Sequence, residues 1–385
     1  MLQTDKIIQY TKEHLDEYLA ILGELVKRES YTHAEKAVKD ICADYARSLF
    51  DSIGFETETI EHPIGGSHIR GKLGSGSKNI LLLGHYDTVF PTGTIESRPF
   101  YVKDDRAYGP GVFDMKGGIM MLYAAVKALQ QLDLMPDDLS LSLFLNADEE
   151  GGSVTAKEHI IEMAKKADAC LSAEPGQSEY GIGYLCDRRY GRAVYTVKAL
   201  GAMAHAGHNP KSNPALEIAK QAQHISERCR TEDGKLFASV VSLHAGAEEA
   251  TAMTPGEAYL IVDIRFIDTE HQKLAVDFIQ KLASFTEGVS LEITGGIEKP
   301  PLTQTAETDF VLRRACQIIE AMGHQPIPTI SGGGSDTNFT GGAGCPTIDG
   351  LGVNGAFLHN PKEFTTVSTI PERVALLAEL IRTLF

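Results

Sequence analysis

Apolar positions recur along this chain with two periods, and the switches between them outline its elements. Ile7, Ile8, Leu15, Leu19, Leu22, Leu25 and Val26 fall at helical spacing, and residues 34–53 do likewise with Gly54 as the stop, so two leading helices are predicted. Alternation over 55–60 and 68–73 predicts two strands, with Gly74, Ser75, Gly76 and Ser77 as a hairpin turn into the next strand. The four apolar residues from Ile80 to Leu83 then run without alternation and stop at Gly84, the mark of a central parallel strand buried on both faces. A polar loop is expected over 91–108, followed by a helix over 118–132, a strand over 139–145, a helix over 156–166 and a short strand over 169–173.

Near Arg188 the pattern changes. Strands are predicted over 192–200, 236–244, 258–266 and 289–294, with helices over 214–229 and 272–285. Strand, helix, strand, strand, helix, strand is the order of the ferredoxin-like α+β unit, which can stand alone. A second domain is therefore expected at 188–298, inserted into a first domain made of 1–187 and 299–385. Lys299-Pro300-Pro301 marks the return, after which a helix over 309–322, a strand over 345–348 and a terminal helix over 371–384 resume the α/β pattern. No repeat of solenoid period is visible.

Composition narrows the partners. At 385 residues, 43% hydrophobic and 23% charged, the chain is long enough for two domains with cores of their own. Its 52 acidic against 36 basic residues give a net charge of −16, which argues against nucleic acid or an anionic membrane and favours cations. The six cysteines include no C-x-x-C pair, so neither a disulfide framework nor a thiolate zinc site is suggested, and reduced thiols are expected. The N-terminus lacks the layout of a signal peptide and no apolar run approaches membrane-spanning length, so a cytoplasmic protein is expected.

Chemistry-bearing residues collect where the apolar runs stop. His85 and Asp87 end the Ile80 run and, two apart in extended chain, face the same way. Asp114 lies in a glycine-rich turn just ahead of a helix, Asp148-Glu149-Glu150 ends the next strand, and Glu174 ends the one after it. In open α/β sheets such strand ends form one rim where ligands bind. Adjacent acids there repel one another unless a cation or proton is present. With the later His359 they make a nitrogen and oxygen set without cysteine, suited to zinc, with manganese or cobalt as alternatives. One zinc needs only three protein ligands, so five or more candidates imply two ions that share a bridging carboxylate. No Gly-x-Gly-x-x-Gly follows a strand and no Lys-Ser/Thr follows the Gly74 turn, which disfavours a nucleotide-binding protein.

The ordered motifs L-L-L-G-His85-Y-Asp87, G-P-G-V-F-Asp114-M-K-G-G, Asp148-Glu149-Glu150-G, Glu174-P, Ala204-His205-Ala206-Gly207, Asp263-Ile264-Arg265 and His359 resemble the M20 family of dinuclear zinc hydrolases, most closely its glutamate carboxypeptidase branch. The resemblance spans nearly the whole chain. It implies an α/β zinc-exopeptidase-like catalytic domain, with a mixed central sheet flanked by helices, and an inserted ferredoxin-like lid and dimerisation domain. By the same resemblance His85 and Glu174 bind one zinc, His359 and Glu150 the other, and Asp114 bridges both, with a cis peptide bond after it. Asp87 orients His85 and Glu149 is the general base. His205 donates a hydrogen bond to the scissile carbonyl, Arg265 grips a substrate carboxylate, and the 331–336 loop, with Gly334, lines the substrate pocket. In dimeric members the lid of one subunit supplies this histidine to the other, so a homodimer through 188–298 is expected. Two positions depart from the family pattern: Ala252 stands where an Asn is common, and no extra arginine lies near Gly295. The expected activity is cleavage of an amide or peptide bond next to a free carboxylate in a small peptide or N-acyl amino acid. A deacylase or dipeptidase shares this chemistry, and a non-catalytic amino-acid or cation binder is disfavoured because it would have no need of Glu149.

Overall fold

The structure is a computed structural model of the chain that describes residues 3–63, 65–179, 181–249 and 251–385. Two compact units account for them: the first comprises 1–187, 304–330 and 335–385, the second 188–303 and 331–334.

The first unit is built on a six-stranded mixed sheet. Strand Lys78–His85 runs parallel to Leu139–Asn146 on one side and to Ala169–Ser172 on the other, and Thr347–Ile348 extends the parallel part. His68–Leu73 adds to Leu139–Asn146 in antiparallel sense, and Glu56–Ile60 pairs antiparallel at the far edge. The unalternating apolar run is explained by burial on both faces: Ile80, Leu81 and Leu82 are wholly inaccessible, and Leu83 nearly so. Helix Lys116–Gln131 is buried along almost its whole length beneath this sheet, with Leu15–Lys27 and Ile370–Thr383 packed against it. The buried Lys116 ammonium donates to the Leu25 and Arg28 carbonyls, 3.0 and 2.8 Å away, and so caps the C-terminal end of Leu15–Lys27.

Several elements differ from expectation for identifiable reasons. The Gly74–Ser77 segment is not a hairpin turn, because Leu139–Asn146 lies between the strands it connects. Asp138 holds the segment there by accepting from Ser77 N and Ser77 Oγ, both at 2.7 Å. The first helix divides into Gln3–Glu13 and Leu15–Lys27, with His14 out of helical conformation at φ −109°, ψ 13°. The expected loop over 91–108 contains strands Tyr101–Lys103 and Arg106–Tyr108, which join Phe364–Thr366 and Gly355–Ala356 in a small four-stranded sheet. Strands Tyr184–Arg189 and Ile327–Ser331, also unforeseen, pair with each other.

The second unit is an antiparallel four-stranded sheet ordered Leu236–Ala245, Glu257–Phe266, Gly191–Leu200, Ser290–Lys299, which is the ferredoxin-like order. Its helices, Pro214–Arg228 and Thr269–Gln280, bury Ile218, Ile225, Ala275 and Ile279 against Val197, Leu260 and Val262 of the sheet. The second helix starts three residues before the expected 272, because Asp268 caps it by accepting from His271 N at 2.9 Å. It stops at Gln280 instead of 285. The buried Glu217 carboxylate takes the Phe285 amide, and Gln221 donates to the Ala283 carbonyl, which diverts the chain. On the edge strand a register shift between Val240 and Ser242 leaves Val241 outside the ladder, and Val241, Leu243 and Phe237 are exposed.

Close packing at the N-terminal end of Lys116–Gln131 generates a stability prediction. A Cβ on Gly118 would lie 2.0 Å from the Ala173 carbonyl oxygen, one residue before Glu174. Gly118→Ala should therefore destabilise the protein by about 1–3 kcal/mol or more. Gly332→Ala, where an added Cβ meets open space, should stay within about 0.5 kcal/mol of the parent. Urea unfolding of the two variants checks the contrast.

Candidate metal centre

Three parallel strands deliver their ends to one rim of the first unit, as their buried sequences require. His85 is the last residue of the central strand, paired with Asn146, after which the neighbouring strand turns into Asp148-Glu149-Glu150; Glu174 follows Ala169–Ser172 on the other side. Asp114 arrives from the turn before Lys116–Gln131, and the peptide bond after it is cis. His359 comes from a loop between short strands Gly355–Ala356 and Phe364–Thr366.

Asp114 faces both histidines. Its Oδ1 lies 3.2 Å from His85 Nε2 and its Oδ2 3.0 Å from His359 Nε2. Glu174 Oε1 stands 3.8 Å from His85 Nε2, and Glu150 Oε1 3.2 Å from His359 Nε2. Two groups of three result, His85 with Asp114 and Glu174, and Asp114 with Glu150 and His359, each with donor atoms within 4.8 Å of one another. His85 and Asp87 are fully enclosed and Asp114, Glu149 and Glu174 nearly so, whereas the His359 side chain is 46% exposed.

Asp87 does more than orient an imidazole. His85 Nδ1 donates to the Asp87 main-chain carbonyl at 3.0 Å, with the carboxylate at 3.4 Å, which turns Nε2 toward Asp114. The Asp87 carboxylate itself accepts from Glu149 N and Glu150 N, each at 3.1 Å. One aspartate thus ties the His85 strand to the loop that carries both glutamates.

The electrostatics follow from crowding of charges in a largely buried rim. Burial pushes the Glu150 carboxyl up to about 7, with the Asp114 charge adding to it against the His359 contact. Hydrogen bonds to Asp114 and Glu150 push His359 up to about 10. Burial opposes the charged forms of His85 and Asp114, but their mutual contacts prevail, raising the imidazole and lowering the carboxylate. The donor set fits divalent cations: imidazole Nε2 atoms and carboxylate oxygens converge in two sets of three, no thiol intrudes, and the facing acids call for positive charge.

Further buried residues that sequence reasoning missed hold the glutamate loop. His68 Nδ1 accepts from Ala147 N at 3.1 Å, so its Nε2 carries the proton and donates to Thr155 Oγ1 at 2.9 Å; Thr155 in turn donates to Asp148 Oδ2 at 2.8 Å. Asp336 accepts from Asn146 Nδ2 at 2.7 Å and from Ser153 Oγ, and fixes Ser153 in the left-handed region at φ 55°. His68 stood beside no motif of the rim, and Asp336 closes the 331–336 loop, which the resemblance assigned to the substrate pocket and not to this support.

The remaining expected site residues, His205, Arg265 and Gly334, belong to the second unit. Arg265 Nε donates to Asp263 Oδ1 at 2.6 Å and Nη2 to Oδ2 at 3.2 Å, while Nη1 reaches the Gly332 carbonyl at 3.3 Å. His205 is exposed, its Nδ1 accepting from Gly207 N at 3.1 Å. Ala252, one of the two departures, lies beside it, its carbonyl accepting from Ala206 N at 2.8 Å. Near the other, Gly295 itself has φ 111° and a Cβ there would sit 2.2 Å from the Val194 carbonyl oxygen, whereas a Cβ on the adjacent Gly296 would meet open space.

This sheet, with its shared aspartate, is the framework of a metallohydrolase, and residues 81–383 match the family described as Peptidase family M20/M25/M40; the chain belongs to it. Carboxypeptidase G2 of Pseudomonas sp. (strain RS-16) is 30% identical over 332 residues, covering 82% of this chain and 76% of that protein. Succinyl-diaminopimelate desuccinylase of Nitrosospira multiformis is 27% identical, covering 93% and 96%. Among solved structures, a tripeptidase of Staphylococcus aureus subsp. aureus Mu50 superposes with a TM-score of 0.75 at 22% identity, covering 96% of this chain and 98% of that one, and shares the fold. The chain is accordingly a hydrolase of the metallopeptidase type. Among the described residues no helix is long and apolar enough to cross a membrane.

His68 predicts an acid-sensitive stability. Burial, with His159 nearby, pushes it down from 6.5 to about 4, so between those values the unfolded chain binds a proton that the folded chain does not. Stability contributed at neutral pH is lost as pH falls through this window, by about 3 kcal/mol in total. Urea unfolding from pH 7 to pH 4 should show this loss in the parent and a shallower slope in His68→Gln; equal slopes would show that His68 titrates normally.

Proposed function

We propose that this protein is a two-cation hydrolase that cleaves an amide or peptide bond next to a free carboxylate, as a carboxypeptidase releasing C-terminal glutamate or a similar amino acid. The observation that carries the reading is the pair of three-residue groups sharing Asp114, with Glu149 directly before Glu150. His85, Asp114 and Glu174 would hold one ion and Asp114, Glu150 and His359 the other, zinc by preference, with cobalt or manganese suited to the same donors. When bound, such a pair lowers the pKa of water and polarises a carbonyl. Glu149 takes the proton from water as its oxygen adds to the carbonyl carbon. It then passes that proton to the leaving nitrogen as the C–N bond breaks, giving a carboxylic acid and an amine.

The second unit supplies the substrate contacts in this reading. Asp263 holds Arg265 in a fixed orientation for a bidentate grip on the substrate carboxylate, near the 331–334 loop with Gly334. His205 donates to the carbonyl oxygen as it gains charge. An N-acyl-amino-acid deacylase or dipeptidase is the second reading, supported by the desuccinylase relative that covers 93% of the chain. Turnover of dipeptides and N-acylated amino acids by zinc-loaded protein separates the two.

Two predictions test the roles. Glu149→Gln should keep fold and cations but lose at least about 10²-fold in kcat, because an amide cannot accept the water proton. Glu150→Gln should instead weaken cation retention. Metal analysis beside turnover checks the pair, and identical behaviour of the two variants would overturn the assignment of base and ligand.

Self-association through the second unit completes the reading. The exposed Phe237, Val241 and Leu243 on its edge strand and the exposed His205 support a homodimer through 188–298 with His205 acting on the partner's site. Mixing His205→Ala with Glu149→Gln chains should then restore part of the activity, since a mixed dimer holds one intact composite site. Sedimentation showing a monomer, or no recovery despite demonstrated subunit exchange, would rule this out.

A further inference from the structure

Glu363 lies four residues after His359 and directly precedes the Phe364–Thr366 strand, yet its side chain serves another part of the chain. It is 1% exposed. Its Oε1 accepts from Phe113 N at 2.8 Å and Asp114 N at 3.0 Å, and its Oε2 accepts from Gly111 N at 3.1 Å. Three main-chain amides of the glycine-rich turn therefore converge on one carboxylate, and one of them belongs to the aspartate that faces both histidines.

The other end of the residue is equally fixed. Glu363 N donates to the Asn360 carbonyl at 2.9 Å, Asn360 N to the Phe357 carbonyl at 3.0 Å, and Lys362 N to Asn360 Oδ1 at 3.0 Å, so 357–363 is a self-bonded turn. Within it Phe357 and His359 adopt φ of 67° and 56°, a conformation bulky L-residues avoid and one that costs of order 1–3 kcal/mol each where the surroundings impose it. The strand that follows anchors the turn through the pairing of Phe364 with Tyr108 and the burial of the Phe364 ring beneath the Arg106 guanidinium at 4.1 Å.

We propose that Glu363 is a positioning residue of the metal centre: its carboxylate locks the Asp114 turn to the His359 turn, so that the shared aspartate and the far histidine meet at coordinating distance. The inference rests on the two-cation reading and adds to it a group that touches no ion. Ligating groups elsewhere depend on such outer partners, whose loss typically lowers metal affinity about 10–100-fold. Glutamine cannot replace this carboxylate. Its oxygen could still serve Phe113 and Asp114, but its NH2 would face the Gly111 N–H, donor against donor.

The test is a Co2+ titration of metal-free parent, Glu363→Gln and Glu363→Asp chains, followed by competition with a chromophoric chelator and by the visible absorption of the bound cobalt, with circular dichroism and thermal unfolding alongside. The parent should take two ions; fewer than two would sink the two-cation reading itself. With that reading intact, a folded Gln variant should bind cobalt about 10–100-fold more weakly, with a changed absorption band. The Asp variant, which keeps the charge but is one methylene too short to span both sides, should also be weakened. A lower unfolding temperature with cobalt affinity and spectrum unchanged would mean that Glu363 only stabilises the fold, and would overturn the proposal. If the Gln variant does not fold, the Asp variant decides by the same criteria. Failure of both to give the parent's circular dichroism would equally overturn it.

Discussion

Asp114 is the constraint on which the rim depends. A carboxylate that faces two imidazoles on opposite oxygens must be fixed in position and in rotation, because a small turn of the group would serve one histidine at the expense of the other. The surrounding chain is arranged to prevent that turn. Gly117 and Gly118 let the following helix press its first turn against Val112 and Ala173, where any Cβ would collide with main-chain oxygen. His85 is aimed from the opposite side by the Asp87 carbonyl, and Asp87 in turn holds the Glu149 and Glu150 amides. His85 and Asp114 are thereby referred to a buried strand and helix instead of to solvent, which is the condition for a preorganised site, while His359 arrives from a loop.

Much of this was legible in the residues. A continuous apolar run that ends in His85, and two largely apolar strands that lead into Asp148-Glu149-Glu150 and Glu174, announce parallel strands whose mouths coincide; burial on both faces explains the missing alternation of the first. The ferredoxin-like order of the second unit was legible for the opposite reason, since Gly191–Leu200 and Glu257–Phe266 alternate over ten residues with one face buried.

What escaped is what depends on distant pairing. The Gly74–Ser77 segment reads locally as a hairpin, and only the insertion of Leu139–Asn146 between its flanking strands makes it otherwise. Two- and three-residue strands such as Gly355–Ala356 and Phe364–Thr366 are too short for a period to register, yet they frame the loop that presents His359. His359 entered the ligand set as a later histidine, and its pairing with Glu150 came only through the family motif, because the short Ala356-Phe357-Leu358 stretch before it shows no period. His68 carries no signal in its neighbourhood, and Asp336 lay in the 331–336 loop without a sign of its support for Asn146 and Ser153, because a buried polar residue is distinguished from an exposed one only by the partners that the fold brings to it.

The interrupted first unit has a consequence for the order in which the protein is made. About 185 residues of chain separate Glu174 from His359, and the whole ferredoxin-like unit lies between them. At ordinary synthesis speeds that interval is on the order of ten to forty seconds. During it the ribosome has released His85, Asp114 and Glu174, which together form one of the two groups of three, while the second still lacks its histidine. The nascent protein thus passes through a stage in which its two halves of the rim are inequivalent in composition, and a cation present then meets an asymmetric host.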